Sequence, residues 1–223
     1  MNSTDRKEAV AVVSNVLDAI NSVAKSAMGE LAAELRLKIG SLRVYAEQYI
    51  NSGAIAAPLA DVFDSARLAG ISYDGMDYVR NVAENIMTSG FPASSIKNTS
   101  VRLALVEIGN VLAGIDYTSR HQVDDYIDRI NDAFDIAETV AADLLDNSVY
   151  RALVSLHAAI TFDLNTRSLP LPTVVTFQAP SIKPMLWIAN RLYGDASREP
   201  ELEAENHPVH PAFVKPSIHC LSR

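Results

Sequence analysis

The chain has 223 residues, 48% of them hydrophobic and 21% charged, which is ordinary globular composition with ample core material. Its 19 basic and 27 acidic residues give a formal net charge of −8, the wrong balance for a protein that holds DNA through a cationic surface. One cysteine, Cys220, excludes an internal disulfide.

The N-terminus is polar (Asn2, Ser3, Thr4, Asp5, Arg6, Lys7, Glu8) and does not read as a secretory signal. No apolar run approaches the ~20 residues that span a bilayer; the longest are broken by Asp18, Asn21 and Lys25, or by Glu107 and Asn110. A protein made in the cytoplasm, soluble unless assembled, is expected. Residues 5 to 50 read as helix, with Val10, Val13, Val16, Leu17, Ile20 and Val23 recurring every three or four positions. Leu31, Leu35, Leu37, Ile39, Leu42 and Ile50 continue a wider stripe, and Gly29 and Gly40 mark breaks or close approaches. Asn51-Ser52-Gly53 is a stop. Pro58 fits the first turn of a helix ending near Gly70. Asp74 caps the next helix, which runs to Ser89-Gly90; Ser94 or Ser95 opens another through Val101, Leu105, Ile108 and Leu112. Ser119 opens a long helix through Val123, Ile127, Ile130, Phe134, Ala137 and Ala141, and Asn147-Ser148 leads into Val149–Phe162. No internal repeat is evident. Broad Ala/Val/Leu/Ile faces on such helices need partners, within the chain or from other copies.

Eight of the 10 prolines lie from Pro170 onward, so the helical section ends near there. Leu169-Pro170-Leu171-Pro172 is expected to be extended, and Pro170 to Pro184 to be a linker or an arm. Beyond it the order is strand (Val174–Phe177), two short helices, strand (Ser217–Leu221). Leu186, Ala189 and Tyr193 share a helical face, with Trp187 and Ile188 beside them. Gly194 ends that helix, Asp195 or Ser197 caps the next, and Leu202 packs back on the first. The expected fold is mainly α: an N-terminal helical bundle or long helical hairpins followed by a small βααβ module. The expected domains are 1–165 (helical), 166–183 (extended Pro-rich linker or arm carrying the first strand) and 174–223 (module).

Few constellations carry chemistry. Asp124, Asp128, Asp135 and Glu138 share one side of the long helix, flanked by Asp125, Asp132 and Asp143; a solvated face is preferred to a docking or cation site, since no Gly-bearing calcium loop accompanies them. His207, His210, His219 and Cys220 lack a chelating arrangement, because Pro208 and Pro211 hold an extended loop. Glu199 to Glu205 read as an exposed acidic helix rather than paired catalytic carboxylates. No nucleophile elbow, His-Glu-x-x-His or phosphate-binding Gly loop is present. The tyrosines (Tyr45, Tyr49, Tyr73, Tyr78, Tyr117, Tyr126, Tyr150) are scattered and read as core-edge or interface residues. No enzyme, cofactor or metal is expected.

Leu186-Trp187-Ile188-Ala189, then Tyr193-Gly194-Asp195, then Asn206, resembles a LysM-type module, with one residue fewer between Trp and Ile. Ile182-Lys183-Pro184 replaces the Gly-Asp-Thr that usually precedes the first helix and helps line the sugar groove of carbohydrate-binding members. The longer run Arg191-Leu192-Tyr193-Gly194-Asp195-Ala196-Ser197-Arg198, an acidic helix, Asn206, then His210-Pro211-Ala212-Phe213-Val214, is similar to the C-terminal end of the Mu-type phage DNA-circularisation protein family. The resemblance implies a tail or baseplate protein of a bacteriophage. It would assemble in several copies, as a ring, around the tail axis and touch other tail proteins (hub, tube, wedge or sheath). It would be made in the host cytoplasm and located in the virion; the family label suggests contact with phage DNA, but the acidic balance argues against that as the main role, and no membrane contact is expected. The structural motif residues are Trp187, Tyr193, Gly194, Asp195, Asn206, His210, Pro211 and Phe213. The alternative is a LysM-like protein that binds cell-wall glycan.

Overall fold

The computed structural model describes residues 1–222. Among them the fold is mainly α, with nine α-helices and one small antiparallel sheet of two strands near the C-terminus. The chain divides into two compact units: Met1–Ile115 with Ile130–Ile160, and Asp116–Arg129 with Thr161 onward. The expected division ran 1–165, 166–183 and 174–223. Composition changes at the prolines, but two long helices, α6 (Arg120–Asp143) and α7 (Asn147–Ser168), contribute to both units.

The first unit is a bundle of α1 (Ser3–Val23), α2 (Glu30–Ser52), α3 (Ala56–Leu68), α4 (Tyr73–Glu84) and α5 (Phe91–Ala113), with parts of α6 and α7. Helix α1 packs against α2, α4 and α5, and α3 against α2 and α5. Val16, Leu17, Ile20, Leu35, Leu59, Phe63, Met76, Leu105, Ile108 and Phe134 are fully buried. The stripe of α2 is narrower than expected. Ala32, Leu35, Ile39, Leu42, Ala46 and Ile50 are buried at spacings of three and four, whereas Leu31 and Leu37 face solvent.

Local signals place some helix ends and miss others. Gly29 (φ 89°) precedes α2 and Gly53 (φ 72°) closes it, both in conformations that cost other residues. Gly40 is neither a break nor a close approach; it lies inside α2 with open space where a Cβ would stand. Helix α4 is capped by Ser72, whose hydroxyl accepts from the Gly75 amide at 3.3 Å, so Asp74 falls inside the first turn. Helix α4 also stops at Glu84, well before Ser89, and α5 starts at Phe91, before Ser94.

That early start has a local signal, Pro92 in the first turn of α5, and a tertiary one from α1. Glu8 on α1 accepts from the Ser89 amide (2.6 Å), the Ser89 hydroxyl (3.0 Å) and the Gly90 amide (2.9 Å). It thus serves the positive end of α5 from a distant helix. A Cβ on Gly90 would stand 2.9 Å from the Glu8 carboxylate, whose end would have to shift to make room. The hydrogen bond from the Ser89 amide, aided by the Ser89 hydroxyl and Gly90 amide, holds the Glu8 carboxyl below its ordinary range against a desolvation that opposes it. A lowered folded-state pKa stabilises above the unfolded value and is lost as pH falls through the folded one. Glu8→Gln is therefore expected to lower the Tm at neutral pH, and the gap from the parent should close below roughly pH 4. Thermal melts across pH check this; a gap independent of pH would reject the carboxylate's role.

The second unit contains the module. Strand β1 (Val174–Gln178) pairs antiparallel with β2 (Ser217–Leu221), in register from Val174↔Leu221 to Gln178↔Ser217. Between them lie α8 (Met185–Tyr193), a 3-10 turn (Ala196–Arg198) and α9 (Glu199–Asn206). The order is the expected βααβ. Met185, Ile188, Ala189, Leu202, Val214, Ile218 and Cys220 form its core, with Phe177, Leu192 and Tyr193 packed against it. The buried face of α8 is thus Met185–Ile188–Ala189–Leu192, while Leu186 and Trp187 are exposed by 52% and 42%. The expected face was rotated by one position. The proline-rich stretch also differs: α7 continues to Ser168, and Leu171 N–H donates to Ser168 O at 3.0 Å, so Leu169–Leu171 make a turn rather than an extended run. The segment that follows carries the paired strand β1, the expected first strand. No helix among the described residues is long and apolar enough to cross a membrane.

Candidate functional site

The motif of the module is held by local geometry and by a few bonds across the fold. Gly194 adopts φ 71° and ends α8, donating its N–H to Asn190 O at 3.0 Å. Asp195 then caps the 3-10 turn, accepting from the Ser197 hydroxyl (2.7 Å) and amide (2.9 Å). Those bonds, the hydroxyl's first, keep its carboxyl below the usual range. The Tyr193 hydroxyl accepts from the Leu221 amide at 3.0 Å, tying the end of α8 to β2. The Arg198 guanidinium lies 3.8 Å from the Tyr193 ring centre and pairs with Glu201 at 2.6 Å. Burial pushes the Tyr193 phenol above its ordinary value.

Asn206 does most to close the module. Its amide donates to Leu202 O (2.7 Å) and His219 O (2.7 Å), and its carbonyl oxygen accepts from the His219 amide (2.8 Å). One side chain thus imitates a strand beside β2 and ends α9. Asn206→Ala leaves both His219 backbone groups without these bonds and is expected to cost roughly 1–3 kcal/mol. Hydrogen exchange at the His219 amide should speed up in step with the loss of stability. Unchanged protection would reject the bridge.

The loop from His207 completes the frame. His207 takes φ 41° as the C-cap of α9. His210 Nδ1 accepts from the Ala212 amide at 3.1 Å, and its ring sits 5.6 Å from that of Phe213. Pro211 O accepts from the Met185 amide (2.8 Å) at the start of α8, and Lys183 O from the Val214 amide (3.1 Å). Tyr193, Gly194, Asp195, Asn206, His210 and Pro211 are therefore committed to holding the chain closed. Trp187 and Phe213 are not: both are exposed, the first with Lys183 Nζ 5.4 Å from its ring centre.

The other constellations separate. Asp124, Asp125, Asp128, Asp132 and Asp135 are exposed on α6. Glu138 leaves that set: it lies 3.1 Å from His157 Nδ1, while Asn131 Oδ1 lies 2.9 Å from Nε2 and the imidazole stacks on Phe134 at 4.7 Å. The sequence reading missed this cluster. Asn131, Phe134 and Glu138 recur at helical spacing, but nothing local points to a histidine on the next helix. Cys220 faces the module core with Sγ 3.1 Å from Val175 O, and burial raises its thiol, whereas His219 faces solvent. Among the described residues, no three His, Cys, Asp or Glu side chains gather as a metal site requires.

Of the surface depressions, two involve α6, one in each unit. One in the first unit, about 380 Å³, is lined by Val101, Ile136, Val140 and Leu144 with Lys97 and Arg102. One in the second unit, about 330 Å³, is lined by Arg120, His121, Asp124, Thr173, Thr176 and His219. Neither brings a nucleophile to a base with an orienting partner. Nearby in the second unit, burial pushes the Tyr117 phenol up to about 12, although Arg167 over its ring at 4.7 Å opposes the shift. Compared with protein-family models and with curated proteins, the chain matches none.

Proposed function

We propose that the chain is a structural component of a bacteriophage tail or baseplate, assembled in several copies around the tail axis and bridging neighbouring tail proteins. The observation that carries the reading is the use of the motif residues. Tyr193, Gly194, Asp195 and Asn206 close a βααβ frame through a left-handed turn, a side-chain cap and a bridge to β2. These residues do structural work, while Leu186, Trp187 and Phe213 are left outward, and exposed aromatic residues of this kind suit a contact between proteins. The acidic balance speaks against DNA contact as the main task despite the family's label.

The test is genetic and biochemical. Deleting the reading frame from the phage genome that carries it is expected to leave filled heads without complete tails. Mass spectrometry of purified particles is expected to find the chain in the tail fraction in several copies. Normal tails after deletion, with the chain absent from particles, would sink the reading. Firm retention on peptidoglycan, lost when the Tyr193-Gly194-Asp195 turn is changed, would put a glycan-binding role in its place.

A further inference from the structure

The small sheet closes one of its two edges and leaves the other open. On β2 the outer edge is covered, because Asn206 bonds both the C=O and the N–H of His219. His219 stands opposite Thr176. In an antiparallel pair, two opposed residues either bond each other or both turn their backbone groups outward. The Thr176 N–H and C=O therefore point away from β2. The bonds at the two ends of the ladder agree: Ser222 N–H donates to Thr173 O and Ala179 N–H to Pro216 O, each at 2.7 Å. Thr173 and Ala179 thus face inward, as Val175 and Phe177 do, while Val174, Thr176 and Gln178 carry outward groups. Among the described residues no further hydrogen bond reaches the backbone of these three.

An open edge is usually blunted by a charge, a proline or a bulge within it. The run Val174-Val175-Thr176-Phe177-Gln178 contains no charge or proline, and its register with β2 is unbroken. No charged residue occurs from Ser168 to Ile182; Pro172 and Pro180 only bound the strand. Val175, Thr176 and Gln178 are exposed. Val174 and Thr176 look onto the groove that Arg120, Asp124 and His219 also line, where Arg120 and Asp124 carry opposite charges. Phe177 packs against the module core on the other face, and Val175 beside it is 50% exposed.

We propose that β1 pairs with β1 of a second copy of this chain, antiparallel about a two-fold axis at Thr176, which joins the two small sheets into one of four strands. The edge is complementary to itself. With Thr176 opposite Thr176 of the partner subunit, Val174 falls opposite Gln178 of the partner subunit, so outward donors meet outward acceptors along the whole strand. A shift by one position would set inward-facing groups against outward ones, and a shift by two would leave an outward residue unpaired. The same register sets Val175 beside Phe177 of the partner subunit, and β-branched–aromatic and Thr–Thr pairs are among the favourable cross-strand neighbours. The uncharged strand brings no like charges together in doing so. The contact is isologous and closes as a dimer. It does not depend on the tail reading; in a tail, the pair rather than the single chain would be the repeating unit.

The experiment is sedimentation velocity on the full chain up to about millimolar concentration, joined to amide hydrogen exchange, with circular dichroism and thermal melts confirming the fold of every variant. The parent chain is expected to dimerise. The Val174, Thr176 and Gln178 amides should gain protection as concentration rises, while the Val175 and Phe177 amides are protected throughout. Thr176→Pro removes an N–H that the chain itself does not use, so it should keep the fold and weaken dimerisation about tenfold or more. Thr176→Lys and Thr176→Glu each set like charges across the axis and should weaken it similarly; mixing the two variants should restore a heterodimer. A monomeric parent overturns the proposal, whether or not a strand of another protein proves to occupy the edge. A dimer whose Thr176 amide protection is independent of concentration, or a mixture that stays monomeric, overturns it as well. If the chain is monomeric yet enters tail particles, the pairing fails and the tail role stands; if it dimerises through β1 but is absent from particles, the reverse holds.

Discussion

Ile188→Ala is expected to cost about 2–5 kcal/mol, whereas Leu186→Ala, two positions earlier on the same short helix, should cost no more than about 0.5 kcal/mol. The contrast rests on which face of α8 is covered. Ile188 is fully buried against Leu202, Val214 and Ile218, while Leu186 is 52% exposed. Both residues are large and aliphatic, so hydropathy alone ranks them equally. The module's core is small, and few neighbours can collapse into the space that Ile188 would leave. Urea unfolding followed by Trp187 fluorescence reads both variants, because the indole lies on α8 itself. Equal losses for the two would mean that the helix is seated as the Leu186–Ala189–Tyr193 pattern implied.

Phe134→Ala is the corresponding change in the bundle, with an expected loss of about 3–5 kcal/mol. Phe134 is completely buried on α6, and its ring supports His157 in a stacked pair at 4.7 Å. His157 in turn lies within hydrogen-bond distance of Asn131 and Glu138, so removing the ring loosens a polar cluster as well as opening a cavity. Phe134→Leu keeps most of the volume and should cost less than about 1.5 kcal/mol. Denaturant titrations of the two variants check the ordering. A Phe134→Ala loss below about 1 kcal/mol would show that the site relaxes around the gap.

Much of the module was legible before any coordinates. The strand at Val174, the stop at Gly194 and the final strand to Leu221 stand where the pattern placed them; of the two candidate caps, Asp195 and Ser197, it is Asp195 that caps, and it caps the 3-10 turn ahead of α9. Each depends on residues within a few positions of one another: a glycine that takes positive φ, a carboxylate that reaches the amide two residues on, a run of β-formers. The Gly53 stop and the Ser119 cap, whose hydroxyl accepts from the Gln122 amide at 3.3 Å, belong to the same class.

The bundle's junctions were less legible, because bonds between distant residues decide them. Helix α5 begins at Phe91, where Pro92 suits the first turn and Glu8 holds the Ser89 and Gly90 amides just ahead of it from 81 and 82 residues away; no local preference encodes that second contact. Likewise, periodicity showed that α8 is amphipathic, but several adjacent apolar residues admit two rotations, and packing against Leu202 and Ile218 chose Met185 over Leu186. Asn206 could be singled out by resemblance, yet its grip on both backbone groups of His219 exists only once β2 folds back beside α9. The sequence by itself determined the element order, the turns and the caps, since these follow from short-range sterics and hydrogen bonding. Only the tertiary structure decided which apolar side chains are covered, which carboxylates leave the solvated face, and which apolar residues stay outward, because each depends on surfaces that the chain brings together from far apart.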